Sequence, residues 1–83
     1  MTKSPRLQVA FGLALRERRI AEGISQEELA DRSELHRTYI SQLERGLKAP
    51  SLKAIQDLAA ALGVPAHRLV EDAERKLASR GST

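Results

Sequence analysis

Five stretches of the chain repeat apolar residues at three- and four-residue intervals, and each is bounded by residues that start or stop helices. The first opens at Ser4-Pro5, a cap followed by a first-position proline, and runs to about Glu22, where Gly23 closes it. Leu7, Phe11, Ala14 and Leu15 form its buried stripe. At ~100° per residue Val9, Leu13 and Ile20 fall roughly opposite, so this helix needs cover on more than one edge. Ser25-Gln26-Glu27-Glu28 has the spacing of a capping box and opens a second helix with Leu29 and Ala30 inward. After Arg32-Ser33-Glu34-Leu35 the pattern restarts at Arg37, with His36 at the cap, and runs to Arg45 before Gly46 ends it. Leu47-Lys48-Ala49-Pro50 is a loop. Ser51 caps a fourth helix that turns Leu52, Ile55, Leu58, Ala59 and Leu62 inward and stops at Gly63. Pro65 starts a fifth, carrying Leu69, Val70, Ala73 and Leu77 at helical spacing. The expected fold class is all-α: five helices in a single domain over residues 5–78, with its core in 7–70 and flexible termini at 1–4 and 79–83.

Length narrows the functions open to such a bundle. With 83 residues there is material for one modest core, which argues against an enzyme with its own enclosed pocket. There is no cysteine, and His36 and His67 form no ligand set, so neither a disulfide framework nor a metal site is expected, and no cofactor. No apolar run approaches the ~20 residues of a membrane span. The start Met-Thr-Lys-Ser-Pro-Arg lacks the apolar stretch of a signal peptide, which makes the cytoplasm the default compartment.

Charge sharpens the picture through its distribution. The net charge is +3, and residues 1–53 carry ten Lys/Arg against seven Asp/Glu, whereas 54–83 carry four against four. Within 36–53, Arg37, Arg45, Lys48 and Lys53 face one acid, Glu44. A basic surface of this kind suits a polyanion, although a solvated charged face produces the same cluster.

The break between helices two and three is too tight for a flexible loop. A helix set steeply against its predecessor, with a polar outer face, is a device for entering the major groove of DNA. At ~100° steps Arg37, Thr38, Ser41, Gln42 and Arg45 share one arc of the third helix, with Tyr39, Ile40 and Leu43 on the other side. The outer arc holds side-chain types that read base edges: Arg for guanine, Gln for adenine, Thr or Ser for several edges or a thymine methyl. An ordinary solvated helix face has the same polarity. Two features favour base contact: the arc has no acid to repel phosphates, and its suited side chains lie in the first turns, the end that enters the groove. Arg37 and Gln42 are the expected readers, while Thr38 and Ser41 stand evenly between bases and phosphate or water.

From Phe11 to Val64 the chain resembles the Cro/CI-type, lambda-repressor-like helix-turn-helix proteins of the XRE family. The likeness rests on Leu15-Arg16-x-x-Arg19, Gly23-Ile24-Ser25-Gln26-Glu27-Glu28-Leu29-Ala30, Arg37-Thr38-Tyr39-Ile40-Ser41-x-Leu43-Glu44-Arg45-Gly46, Pro50-Ser51 and Ala61-Leu62-Gly63-Val64. It implies a five-helix domain with the helix-turn-helix at helices two and three, and recognition helix 37–45. It implies a sequence-specific transcriptional regulator that binds double-stranded DNA as a homodimer, two recognition helices lying one DNA turn, ~34 Å, apart on an inverted-repeat operator. By the same resemblance Gln26 bonds a phosphate and can brace the first residue of the recognition helix, and Arg19 pairs with Glu44 as a structural ion pair. Arg45 and Lys48 touch the DNA backbone. Lys53 and Arg16 are further candidates, for which solvated surface charge is an equal reading. Tyr39 reaches a phosphate in relatives, while here its angular position sets its ring against Leu43 with its hydroxyl free. Relatives dimerise through helix five and the loop before it, implying Val64, Pro65, Leu69 and Val70.

Two positions depart from the family pattern. Glu34 stands where the turn usually has glycine, so the backbone must avoid or strain into a left-handed conformation. Pro65 replaces the usual Ser or Thr cap of helix five. The run Arg-Ser-Glu-Leu-His-Arg-Thr-Tyr-Ile-Ser is similar to controller proteins of restriction–modification systems and to small autoregulatory repressors, and with no separate effector domain in view, regulation is expected to work through dimer concentration, operator occupancy and contact with RNA polymerase. The competing function is an antitoxin-like or scaffold module whose fifth helix and tail bind a protein while DNA binding is secondary; the extra apolar edge, Val9, Leu13 and Ile20, and the charged extension, Glu71 to Lys76, favour it. An enzyme comes third, because no nucleophile–base pair is visible and Asp57, Glu71, Asp72 and Glu74 read as helix-surface acids.

Overall fold

Each helix begins and ends where an orphan backbone group finds a partner. A computed structural model, describing residues 6–80, contains α1 (Arg6–Ala21), α2 (Gln26–Ser33), α3 (Arg37–Glu44), α4 (Leu52–Leu62) and α5 (Ala66–Arg80). The Ser4-Pro5 start lies outside the described residues, as do 81–83. Ser25 Oγ accepts from the Glu28 N–H and Ser51 Oγ from the Ala54 N–H, both at 3.0 Å. Such caps contribute about 1 kcal/mol each. The Glu28 carboxylate, expected to turn back to Ser25, reaches forward to Arg32 at 3.5 Å.

The first four helices close in the same way. A residue in the left-handed conformation is followed by an N–H that reaches back five residues: Ile24 to Arg19, Leu35 to Ala30, Leu47 to Gln42 and Val64 to Ala59, at 2.9–3.3 Å. The left-handed residue is glycine three times and Glu34 once, at φ 59°, ψ 35°. The turn before α3 therefore adopts the strained geometry without the residue that relieves it, which costs an L-residue roughly 1–2 kcal/mol. Its neighbours offset that cost. Ser33 is buried with its Oγ donating to Leu29 O at 2.7 Å, and Leu35 packs against the core.

The core draws on all five helices. Leu15, Leu29, Ile40, Leu43, Leu58 and Leu69 are its largest fully buried side chains, each burial contributing about 1.5–3 kcal/mol. Two expected core residues are not in it. Leu7 is 46% exposed, because it lines the wall of an open groove one turn ahead of Phe11. Leu52 is 86% exposed: α4 buries Ala54, Leu58, Ala59 and Leu62, which centres its inner arc ~90° away from Leu52. Ala54, a small residue that the leucine stripe hides, takes the place.

α5 packs along α1 and continues through Ser79 and Arg80, past the boundary expected at 78. Arg18 donates to Asp72 at 2.7 Å and Glu17 pairs with Lys76, so Asp72, with its side chain 15% exposed, is a cross-link to α1 and not a plain surface acid. The hydrogen bond to Asp72 raises the pKa of Arg18 against the opposing effect of burial. On the second edge of α1, Val9 lies against Gly46 and Leu13 is half-buried, leaving Ile20 exposed. No helix among the described residues is long and apolar enough to cross a membrane.

Candidate nucleic-acid interface

α3 is short, and its orientation depends on what grips its inner side. Ile40 and Leu43 are fully buried, Tyr39 packs against the core, and Glu44 is buried at 5% exposure. A carboxylate removed from water needs partners. Arg19 Nε donates to Glu44 Oε2 at 2.7 Å and Arg19 Nη2 to Oε1 at 3.0 Å, a bidentate pair, while Gln26 Nε2 donates to the same Oε1 at 3.0 Å. Arg19 Nη1 also donates to Ile24 O at 2.9 Å. The hydrogen bond to Glu44 raises the pKa of Arg19, overcoming the desolvation that would lower it. Helices α1, α2 and α3 thus meet on one carboxylate.

A second grip was not anticipated from the sequence. At Gly12 a Cβ would sit 2.2 Å from Leu43 O and 2.9 Å from Glu44 O, so α1 passes directly over the last turn of α3. The chain just beyond is held too. Gln8 Nε2 donates to Gly46 O at 2.9 Å, and a Cβ at Gly46 would come 3.0 Å from Val9 Cγ2. A glycine inside an otherwise regular helix was the available signal, since it lowers helix propensity without a turn to explain it.

The outer side of α3 is open. Arg37 and Thr38 are exposed, Ser41 and Gln42 half-buried, and Arg45, at the C-cap just outside the helix, is exposed like Lys48 and Arg16. Arg16, Arg37, Arg45 and Lys48 form no ion pair among the described residues. Lys53 differs, because Asp57 sits 2.8 Å from its Nζ. That hydrogen bond raises the Lys53 pKa, Glu34 adding a smaller pull. His36 occupies the N-cap position in extended conformation without a side-chain cap. The electrostatic consequence is plain. The one acid of residues 36–53 is buried and neutralised by Arg19, so among the described residues Arg37, Arg45 and Lys48 carry positive charge without an ion-pair partner.

Three expected roles need revision. The Tyr39 hydroxyl is not free, since it accepts from the Ser51 N–H at 3.4 Å and ties α3 to the start of α4. Gln26 spends one amide N–H on Glu44 and so braces the end of α3, not its first residue. Leu69, expected at a dimer surface, is 0% exposed because the Leu69–Ala73 face of α5 turns into the chain's own core. Of that group Val64 is half-buried, and Pro65 and Val70 are exposed. Among the described residues no group of three or more His, Cys, Asp or Glu could hold a metal ion.

Residues 15–69 match the helix-turn-helix family model. The chain is 43% identical over 66 residues to control protein C.BamHI of Bacillus amyloliquefaciens, across 78% of this chain and 82% of that protein. Among solved structures, the restriction-modification controller protein C.AhdI from Aeromonas hydrophila is similar with a TM-score of 0.73 at 47% identity, covering 75% of this chain and 94% of that one. The controller protein C.Esp1396I, solved as a tetramer in complex with its natural 35 base-pair operator, gives a TM-score of 0.78 at 28% identity over 90% of this chain and 97% of that one. The all-α, five-helix architecture is the fold of these structures.

Proposed function

The chain belongs to the helix-turn-helix family, and from that premise we propose that it is a transcriptional regulator of the controller type, binding an inverted-repeat operator as a homodimer through α3. Its relatives are controller proteins and transcriptional regulators rather than enzymes. The observation that carries the reading is the withdrawal of Glu44 from the surface. Once Arg19 and Gln26 hold that carboxylate inside, Arg37, Arg45 and Lys48 present a cationic face with no competing acid on the same element. A polyanion is the partner such a face suits.

Within that face the roles divide by reach. Arg37 and Thr38 at the first turn, with Ser41 and Gln42 one turn on, take base edges. Arg45, Lys48 and Arg16 take phosphates. Gln26 and Tyr39 join them with the protons they have left, one N–H and the phenolic O–H. Lys53 contributes only by releasing Asp57. One α3 reads a few base pairs, too few for selective binding, so a second copy supplies the other half-site. This reading fits action in the cytoplasm.

Alanine substitutions separate readers from clamps. Arg37→Ala costs about 1–3 kcal/mol of binding and relaxes the preference at one base position. Lys48→Ala weakens all sequences alike and reduces the salt slope by about one. Both follow from binding titrations at several salt concentrations on a site and its single-base variants. Identical behaviour of the two variants contradicts the division of roles.

A further inference from the structure

The residue whose N–H reaches back to close each of the first four helices is apolar: Ile24, Leu35, Leu47 and Val64. In such closures that side chain frequently folds onto the helix it ends. Ile24 is 8% exposed, and Leu35 and Val64 pack against the core. Leu47 is turned outward, 57% exposed, although its N–H bonds Gln42 O at 2.9 Å like the others. Nor is its backbone slack. The preceding residue, Gly46, is buried, accepts from Gln8 and lies against Val9 of α1. A closure that hides its apolar residue three times thus presents it to solvent once, on a loop held in place.

The neighbours of Leu47 say what it faces. Arg45 and Lys48 flank it, both exposed and without an ion pair among the described residues. The sugar–phosphate backbone of DNA has the complementary alternation, anionic phosphates separated by the apolar faces of deoxyribose rings. We propose that Leu47 is a DNA contact, its side chain packed on a deoxyribose between the phosphates taken by Arg45 and Lys48. The inference rests on the DNA-binding reading above and adds a contact of a different kind to it. Phosphate contacts fade as salt rises, because they work by releasing counterions. Withdrawing a leucine from water adds affinity that salt does not screen, and it holds the loop against the backbone where two flexible cations alone hold it loosely.

Fluorescence anisotropy titrations across a range of salt concentrations test this, on a labelled duplex enriched from a random-sequence pool and on its single-base variants, with the full chain, Leu47→Ser and Leu47→Lys. Leu47 lies outside the core, so both variants melt with the unsubstituted chain. Leu47→Ser weakens binding roughly tenfold on every duplex alike, the effect of leaving this apolar surface in water, with the salt slope unchanged. Leu47→Lys steepens the slope by about one, as the new ammonium meets a phosphate. Undiminished binding by Leu47→Ser, or an unaltered slope in Leu47→Lys, overturns the inference and leaves the DNA-binding reading standing. A loss confined to one base pair puts Leu47 on a base edge and overturns the backbone contact. Weakened self-association of Leu47→Ser in sedimentation equilibrium, matching its loss of binding, overturns it in favour of a protein contact. An unsubstituted chain that binds no duplex overturns the DNA-binding reading, and this inference with it.

Discussion

Gly12→Ala lowers stability by about 2–3 kcal/mol, and in a domain of this size the thermal midpoint falls by roughly 10–20 °C. Local logic alone gives the opposite sign. Alanine inside a helix is better than glycine by about 1 kcal/mol, so an α1 that merely lay near α3 would be stabilised by the change. The added methyl, however, lands 2.2 Å from Leu43 O and 2.9 Å from Glu44 O, and both are backbone atoms in the last turn of α3. No rotamer change can clear them. Either α1 lifts away from α3, undoing the packing of Phe11 and Leu15, or α3 shifts and carries its outer face with it. Thermal unfolding followed by circular dichroism reads the effect. A stabilised variant shows that α1 does not press on α3. A destabilised variant that still folds should also bind DNA more weakly than its folded fraction explains.

Glu44→Ala costs about 3–5 kcal/mol, the range for removing one partner of a buried ion pair. The size comes from what is left behind. Arg19, with its side chain 11% exposed, loses both carboxylate contacts and keeps only its bond to Ile24 O, while Gln26 loses its acceptor. Arg19→Ala combined with Glu44→Ala should cost less than the two changes summed, because the second substitution removes the ion that the first had stranded. Denaturant unfolding of the four chains closes that cycle. Additive losses contradict a coupled pair.

These two contacts illustrate what a sequence does and does not disclose. Helix limits were legible because caps and stops are local: Ser25, Ser51, Gly46 and Gly63 act on groups within a few residues of themselves. The sidedness of α3 was legible too, since its apolar and polar residues separate cleanly. Contacts between helices were not. Nothing in the periodicity tells that Gly12 faces a carbonyl or that Leu52 faces outward, because the rotation of a helix about its axis is set by its neighbours. Leu52 and Ala54 exchanged places for that reason. Leu69 likewise fits an outward or an inward α5 equally well until α1 and α4 are placed beside it. The Arg19–Glu44 pair came from family resemblance alone, and the third member, Gln26, was assigned to phosphate. An amide has two N–H groups and only the fold reveals where the first is spent. At Glu34 the sequence posed the alternative, avoidance or strain, and the closure of α2 decided for strain.

Under the proposed function, two copies of this chain read an inverted repeat through α3. Selection from a pool of random-sequence duplexes tests binding, symmetry and spacing together. The expected result is enrichment of two inverted half-sites whose centres lie one helical turn, about 10 base pairs, apart, with the preference at one position per half-site lost in Arg37→Ala. Recovery of no preferred sequence, or of an unsymmetrical site unaffected by Arg37→Ala, contradicts it.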